Sequence, residues 1–375
     1  MTLLIVVLDI DRSGSDIGIL GAPFDTAVSY RPDFPRQTTS KLNVNLPGAR
    51  FGPRAIRAAS ARQTSFRGFN PRRGLNPYTS PYTIIDCGDI PVTPFDNALA
   101  LHQMTSAFLE LGSRVPAFVH STNPKPKLLT LGGDHSIALP ALRALNKIYG
   151  GPIAVLHFDA HLDTWHPAKY PSAWPSAQSD FTHGSMFWIA SNEGLILNGS
   201  SAHAGLRSRL LGWDDYEDDE RQGFLRISAD DIDEIGTVGI VSAILERIGT
   251  DTPTYLSLDI DVLDPGLVSK ARISSATLMS DYQQCPGTGT PEAGGWTSRE
   301  VIRILRGLET LNVIGADIVE VAPAFDGTGE QTALVAAQVG YEILTSWVGR
   351  GMSEIEKVKG KDDESRASGN RKDEL

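Results

Sequence analysis

Short apolar runs alternate with amphipathic helical patterns along most of the chain, and this alternation constrains the fold more than any other feature of the sequence. The apolar runs begin near Ile17, Tyr82, Lys127, Pro152, Thr252 and Leu311. The helical patterns begin at Phe95, Ser136, Thr237, Thr297 and Thr332. Strands that recur between helices favour βαβ units, which build a parallel sheet covered by helices on both faces. The sequence therefore predicts an α/β fold with a mostly parallel sheet.

The chain shows no internal repeat and no linker that would divide its body, so residues 1–350 are predicted to form a single domain. From Gly351 onward the residues are charged and nearly without apolar side chains, which predicts a disordered tail over 351–375. The acidic run DDYEDDE from Asp214 lacks the glycine-centred spacing of a calcium loop, so we expect a solvated loop there.

The charge balance limits the class of partner. The 375 residues carry a formal net charge of -11. Nucleic acids and anionic membranes bind clustered lysine and arginine, so neither is expected as a partner, whereas a small cationic substrate would suit this charge. The two cysteines, Cys87 and Cys285, are too few for a disulfide framework.

The two ends of the sequence point to different compartments. The apolar run from Leu3 to Leu8 is too short to span a bilayer and is not followed by a small-residue cleavage pattern, which favours the cytoplasm. The last four residues, KDEL, spell the address that returns proteins to the endoplasmic reticulum. Two alternatives remain open: a cytoplasmic protein, or a protein of the endoplasmic reticulum whose N-terminus lies upstream of Met1.

Metal-binding types of side chain follow three of the predicted strands. They are His135; Asp159, His161 and Asp163; and Asp259 and Asp261. Two glycines precede the first of them and allow close backbone approach. A spacing of two along extended backbone would send side chains to one side, and the carboxyl ends of parallel strands share one edge of a sheet. We therefore expect all of these side chains to face a common point.

Four carboxylates and two imidazoles are too many ligands for one ion and too anionic to lie together without cations. Two divalent cations about 3.5–4 Å apart would neutralise them and could activate a water molecule. The oxygen-rich set without thiolates favours manganese over structural zinc. Each cluster alone has a simpler explanation, since Asp-x-Asp after a strand is often a turn or a helix cap. Three clusters at three strand ends favour the metal centre.

The motifs GGDHS, FDAHLD and SLDIDVLDP resemble the three metal motifs of the ureohydrolase family, the arginases and agmatinases, and the similarity runs from GILGAPFD to YEIL. The resemblance implies the three-layer α/β/α arginase-like fold, a homo-oligomer and two manganese ions per subunit. It also implies that His135 and Asp163 bind one ion, that His161 and Asp261 bind the other, and that Asp159 and Asp259 bind both.

The resemblance further implies hydrolysis of a guanidino group to urea and an amine. Asp163 would pass a proton to the leaving nitrogen, Glu320 in ADIVEVAPAFD would orient the guanidinium, and His183 in FTHGSMFW would shuttle protons or orient the substrate. Taken without the resemblance, Glu320 could pair with a structural arginine and His183 could be a plain loop residue.

The segments GTGTPEAGGW and DIVEVAPAFD resemble the agmatinase branch more than the arginase branch. Agmatine, cleaved to putrescine and urea, is therefore the expected substrate, and arginine and 4-guanidinobutyrate are the alternatives. Residues 33–47 and 268–285 interrupt the family pattern and are predicted to be insertions near the rim of the site, or translated introns.

Two other classes of protein compete with this hypothesis. If the insertions block the site, the chain would be a non-catalytic, metal-binding relative that binds guanidines or polyamines. The presence of all the metal ligands together with Glu320 and His183 argues against that reading, because a binding protein has no need of an activated water. A zinc-dependent amide hydrolase of related fold is disfavoured, because its single ion would not need so many ligands.

Overall fold

One parallel sheet of eight strands forms the centre of this computed structural model, which describes residues 14–27, 48–118, 124–169, 181–266 and 285–370, with the backbone alone over 358–370. The strands are β1 (Ile17–Ala22), β2 (Ile84–Asp89), β3 (Lys127–Gly132), β4 (Ala154–Phe158), β5 (Ser201–Leu206), β6 (Phe224–Ser228), β7 (Thr254–Asp259) and β8 (Val313–Val319). Their order is β2-β1-β3-β8-β7-β4-β5-β6, and every neighbouring pair is parallel. The predicted parallel sheet is confirmed.

Helices cover both faces of this sheet. They are α1 (Gly52–Ala59), α2 (Asn97–Gly112), α3 (Ala138–Tyr149), α4 (Met186–Asn192), α5 (Trp213–Gln222), α6 (Asp231–Ile248), α7 (Ser298–Gly307) and α8 (Gln331–Asn370). Helices α1, α6, α7 and α8 contribute to one apolar core, and α2, α3 and α4 contribute to the core on the opposite face. The three-layer α/β/α fold is therefore confirmed.

The central strands are buried along nearly their whole length, as strands covered on both faces must be. All residues of β4 and β7 are buried, which matches their nearly continuous apolar sequences. The helices show one apolar face each. Helix α7 buries Val301, Ile304 and Leu305, and a capping box between Thr297 and Glu300 fixes its first turn.

The strands β5 and β6 were not expected, because neither carries a long apolar run. Strand β5 reads SAHAGL, with small residues and a histidine that are all buried, and β6 carries an arginine. The solvated loop expected at DDYEDDE is wrong, since these residues form most of α5. Asp215 and Asp219 are buried there, the acidic first turn suits a helix N-terminus, and Gly223 in the left-handed region ends the helix.

Helix α8 continues to Asn370, so the described part of the tail after Gly351 is helical instead of disordered. Its glutamates and lysines are strong helix formers, and Arg350 and Glu354 form an ion pair one turn apart, with Nε and Oε1 2.8 Å from each other. Residues 33–47 and 268–284 lie outside the described residues, so the single domain with two insertions stays a prediction. Among the described helices, none combines the length and the apolar composition needed to cross a membrane.

Candidate metal centre and active site

Four neighbouring strands in the middle of the sheet carry the candidate site at their carboxyl ends. In spatial order they are β3, β8, β7 and β4. The first leads to His135, the second to Glu320, the third ends at Asp259, and the fourth leads to Asp159. The predicted meeting point at one edge of a parallel sheet is therefore where the structure brings these side chains together.

The glycines before His135 let the chain cross the end of β1 at very short range. Gly133 donates its N–H to the carbonyl oxygen of Ala22 over 2.8 Å. A Cβ added at Gly133 would lie 1.8 Å from the carbonyl oxygen of Phe24 and 2.7 Å from that of Ala22. This close backbone approach is the one that the sequence predicts.

The side chains of the acidic pairs are oriented by local turns. The extended backbone that the sequence predicts is not what directs them. Asp159 Oδ1 accepts the N–H of His161 at 2.6 Å, and Asp259 Oδ1 accepts the N–H of Asp261 at 2.8 Å. Aspartates commonly bond to the backbone two residues onward and so close a turn. The chain bends as soon as each strand ends, and Asp261 lies in a short 3₁₀ turn over Ile260–Val262.

His135 lies at the centre of the first group of ligands. Its Nδ1 is 3.0 Å from Asp159 Oδ2, 3.1 Å from Asp163 Oδ2 and 3.3 Å from Asp259 Oδ2. The ring is fully buried. Three carboxylate oxygens therefore converge on one imidazole nitrogen.

His161 is at the centre of the second group. Its Nδ1 is 3.1 Å from Asp159 Oδ1 and 3.0 Å from Asp261 Oδ2. Asp159 thus directs one oxygen to each histidine and is shared by the two groups. Asp259 meets the first group through the contact with His135.

The donor set fits metal ions. His135 Nδ1 is buried and forms no hydrogen bond, although three carboxylate oxygens surround it. A buried nitrogen of this kind costs free energy unless a partner satisfies it, and a cation lying among these atoms would do so. Two groups of side chains could hold an ion: His135, His157, Asp159 and Asp163; and Asp159, His161 and Asp261.

The electrostatics of the site also call for positive charge. Burial, followed by the charges of the neighbouring aspartates, raises the pKa of Asp259 well above its usual value. Burial likewise raises the pKa of Asp163 and of Asp261, with Asp159 adding to both effects. Burial alone would lower the pKa of His135, but its carboxylate neighbours raise it well above the usual value. Carboxylates so crowded need protons or cations.

A second row of buried residues supports His135, and sequence reasoning missed it. His135 Nε2 and Ser257 Oγ are 2.7 Å apart, and Ser257 donates to Asp317 Oδ1 over 2.9 Å. Tyr255 donates to the other oxygen of Asp317 over 2.6 Å. Carboxylates of this kind fix the ring of a metal-binding histidine. The signal was present in the sequence, because Asp317 lies on the same predicted strand as Glu320 and is a buried acid in an apolar run.

Glu320 and His183 lie beside the first group of ligands. Glu320 Oε1 accepts the N–H of His135 at 2.9 Å and is 3.5 Å from His183 Nδ1. Both side chains are buried. Burial would lower the pKa of His183, but the hydrogen bond and charge of Glu320 raise it. The structure therefore brings the predicted catalytic residues to the cluster.

Two of the predicted catalytic residues hold backbone conformations that are rare for residues other than glycine. Asp163 has φ 55° and Glu320 has φ 61°. Such left-handed conformations cost free energy on the order of 1 kcal/mol or more and persist where the surroundings fix them. Glu320 adopts this conformation directly after β8, and Asp163 adopts it in the loop that follows β4.

The segment GTGTPEAGGW also reaches the site, in ways that sequence reasoning did not assign. Thr290 Oγ1 donates to Asp261 Oδ2 over 2.9 Å, and Glu292 Oε1 is 3.9 Å from His161 Nε2. The guanidinium of Arg207 binds this segment to the second group, since it donates to the carbonyl oxygens of Glu292, Asp261, Val262 and Leu263. Arg207 follows the unpredicted strand β5, which is why it was missed.

Comparisons with known proteins give the family of the chain. A model of the arginase family matches residues 15–269 and 279–345, and the break falls inside the predicted second insertion. A Schizosaccharomyces pombe protein, named as a proposed agmatinase 1, is 43% identical over 346 residues, 90% of this chain and 79% of that protein. The agmatinase of an Enterobacter strain is 34% identical over 88% of this chain and 87% of its own.

A solved structure extends the comparison to the fold. Proclavaminate amidinohydrolase from Streptomyces clavuligerus superposes with a TM-score of 0.72 at 31% identity, over 93% of this chain and 97% of its own. The chain belongs to the arginase family and is an agmatinase-like ureohydrolase, an enzyme that hydrolyses a guanidino carbon–nitrogen bond.

Proposed function

We propose that this protein hydrolyses agmatine to putrescine and urea at a centre of two manganese ions. The observation that carries the proposal is the pair of ligand groups around His135 and His161, which share Asp159 and lie beside Glu320. The names of the relatives support the reaction class, since both curated relatives compared above are named as agmatinases.

The donor chemistry supports manganese. The candidate ligands are four carboxylates and two imidazoles, namely His135, Asp159, His161, Asp163, Asp259 and Asp261. Neither described cysteine belongs to either group. Sets of oxygen and imidazole ligands suit manganese, whereas structural zinc sites commonly include thiolates.

The proposed reaction requires the two cations and three residues of the chain, Glu320, Asp163 and His183. Two divalent cations would supply hydroxide at neutral pH, the nucleophile that a guanidinium carbon requires. Glu320 lies close enough to the cluster to hold the guanidinium through charge-assisted hydrogen bonds. Asp163 then carries a proton to the leaving nitrogen, so that urea and the amine separate, and His183, 3.5 Å from Glu320, exchanges protons with the solvent side of the site.

Glu292 supports agmatine as the substrate. Its side chain is about one third exposed and lies next to His161, so a carboxylate flanks the second ligand group. Agmatine is cationic at both ends, whereas arginine and 4-guanidinobutyrate each carry a carboxylate that the negative charge of Glu292 would repel. A chain with a net charge of -11 favours the same cationic substrate.

The decisive experiment measures urea released by the manganese-loaded protein from agmatine, arginine and 4-guanidinobutyrate in parallel, with the metal content determined on the same samples. We expect release from agmatine with the highest kcat/KM. Faster release from either of the other substrates would replace agmatine in the proposal. Two bound manganese ions without urea from any of them would favour a non-catalytic guanidine-binding protein. We also expect a homo-oligomer, which light scattering on the same samples would measure.

A further inference from the structure

A chain of buried hydrogen bonds runs from Asp159 away from the candidate ions. Asp159 Oδ2 is 2.9 Å from His157 Nε2, and His157 Nδ1 is 2.7 Å from His203 Nδ1. His203 Nε2 is in turn 2.9 Å from Asp219 Oδ1. All four side chains are fully buried. None of the roles proposed above uses His157, His203 or Asp219.

The fold places the two histidine rings side by side and fixes their planes. His157 and His203 are register partners on the neighbouring strands β4 and β5. His203 stacks on Phe224 with ring centroids 4.1 Å apart, and His157 meets Phe187 edge-on at 4.8 Å. The rings therefore cannot rotate without displacing core side chains, so the chain of hydrogen bonds has a defined geometry.

His157 lies within reach of the first ligand group, but its geometry is that of a supporting residue. Both of its ring nitrogens have partners, Nε2 with Asp159 and Nδ1 with His203. His135 Nδ1 meets three carboxylate oxygens of the first group, whereas His157 Nε2 meets one and its Nδ1 faces His203. The structure thus favours the interpretation that His157 forms hydrogen bonds in the strand and does not bind metal.

Counting donors and acceptors assigns the outer hydrogen bonds of the pair. Asp219 accepts from Thr164 Oγ1 at 2.9 Å and from Arg226 at 3.0 Å, as an ionised carboxylate does, so His203 Nε2 must donate to it. Asp159 as a metal ligand is ionised, so His157 Nε2 must donate as well. The two Nδ1 atoms lie 2.7 Å apart and share the hydrogen bond that joins the rings.

We propose that His157 and His203 are positioning residues that fix the carboxylate of Asp159 for the two ions. This inference rests on the metal centre of the proposed function. Asp159 is the ligand that both groups share, so an error in its orientation affects both ions at once. Residues that orient ligands from behind commonly contribute about 10–100-fold to metal affinity.

The test compares three variants by manganese affinity, measured without substrate from the paramagnetic resonance signal of free and bound ions. His203→Phe keeps the stacking on Phe224 but removes the hydrogen-bond partner of His157 Nδ1. His203→Gln restores a partner, because its amide can bond to His157 Nδ1. His102→Gln changes an exposed histidine on α2 and serves as the control. Thermal midpoints of the metal-free proteins show whether each variant folds, and His203→Leu replaces the phenylalanine variant if that one does not.

We expect His203→Phe to lose about tenfold or more in manganese affinity and to change the spectrum of the coupled ions, while His203→Gln stays within about threefold of the wild type. Equal affinity in His203→Phe and the wild type would overturn the inference. So would equal losses in the phenylalanine and glutamine variants, because packing alone would then explain them. A wild type that binds no manganese would overturn both the metal centre and the inference. Failure to release urea from agmatine despite bound manganese would overturn only the proposed reaction.

Discussion

At the level of single residues, the centre depends on which oxygen of each carboxylate faces which histidine. Asp159 directs Oδ1 to His161 and Oδ2 to His135, whereas Asp261 reaches His161 alone through Oδ2. Asp261 is therefore the residue whose loss should affect one ion and spare the other.

Asp261→Asn should reduce the manganese content from two ions to one and abolish most of the urea release. The substitution keeps the size of the side chain and an oxygen that can accept the N–H of Ala160, now bonded at 3.0 Å, but it removes the negative charge. Elemental analysis and the urea assay on the same sample measure both effects. Asp230→Asn, at an exposed position, is the control. A variant with full activity and two ions would contradict the assignment of Asp261 as a ligand.

Glu320→Gln should raise the KM for agmatine with no change in manganese content. Glutamine can still accept the N–H of His135, so the cluster keeps its support, but the charge that pairs with a guanidinium is lost. Hydrogen bonds to charged groups contribute roughly 1.5–3 kcal/mol, which corresponds to about 10–100-fold in KM. Glu330→Gln is a matched control, since Glu330 also has a positive φ, of 50°, but is exposed. An unchanged KM would remove Glu320 from the substrate site.

At the level of elements, the backbone contact between the end of β1 and the loop after β3 sets the position of His135. The loop after β3 passes so close to β1 that Gly133 touches the carbonyl oxygens of Ala22 and Phe24. The first ligand group therefore depends on a packing contact between two strand ends as well as on the ligands themselves.

Gly133→Ala should destabilise the protein and weaken manganese binding together. The added methyl group would lie 1.8 Å from a carbonyl oxygen, so the backbone must move, and His135 moves with it. Overpacking of this kind costs about 1–3 kcal/mol. Gly151→Ala is the control, because a Cβ at Gly151 meets nothing within 4 Å. Thermal unfolding with and without manganese measures both effects, and equal midpoints for the two variants would contradict this account.

Sequence reasoning predicted the sheet and the cluster because both leave periodic signals. Apolar runs as long as that of β4 identify a buried strand, and acidic pairs after such strands identify an edge. Strand β5 gave no such signal, because small residues and His203 replace the apolar run. Helix α5 was missed because charged residues dominate its sequence. Its buried Asp219 bonds to Thr164 and His203, which are distant in sequence, so no local pattern reveals that it is buried.

The supporting residues could not be predicted, because their roles depend on contacts between elements. Asp317 meets Ser257 only through the pairing of β7 with β8, and His203 meets His157 only through the pairing of β4 with β5. Register between strands is set by the whole fold and not by local spacing. A single sequence thus gives candidate ligands but not the residues that hold them.

At the level of the whole molecule, the candidate metal centre lies at the carboxyl ends of the strands, and a destabilising buried lysine, Lys127, lies at their amino ends. Lys127 begins β3 and Gly132 ends it, next to the candidate centre. Lys127 is buried at the amino edge, where its ammonium lies 5.5 Å from the centroid of the Trp347 ring. Burial lowers the pKa of Lys127 to about 7, Arg350 lowers it further and Glu354 opposes the effect.

Lys127→Met should stabilise the protein, and by more at pH 6 than at pH 10. The pKa of Lys127 in the folded chain, about 7, lies below the ordinary 10.5, so the unfolded chain binds more protons between these values. The contribution of Lys127 to stability therefore rises with pH across this window, and methionine removes the penalty present below it. One pKa unit corresponds to about 1.4 kcal/mol, so the difference between variant and wild type should exceed about 1 kcal/mol at pH 6.

Urea unfolding at pH 6, 8 and 10 would measure this dependence, with Lys147→Met as the control because Lys147 is exposed on α3. A constant stability difference between Lys127→Met and the wild type over this range would show that packing against Trp347, and not the buried charge, sets the effect. Because Lys127 lies at the edge remote from the ligands, the manganese affinity of the variant should equal that of the wild type. A loss of manganese binding in Lys127→Met would instead show that strand β3 transmits changes at one edge of the sheet to His135 at the other.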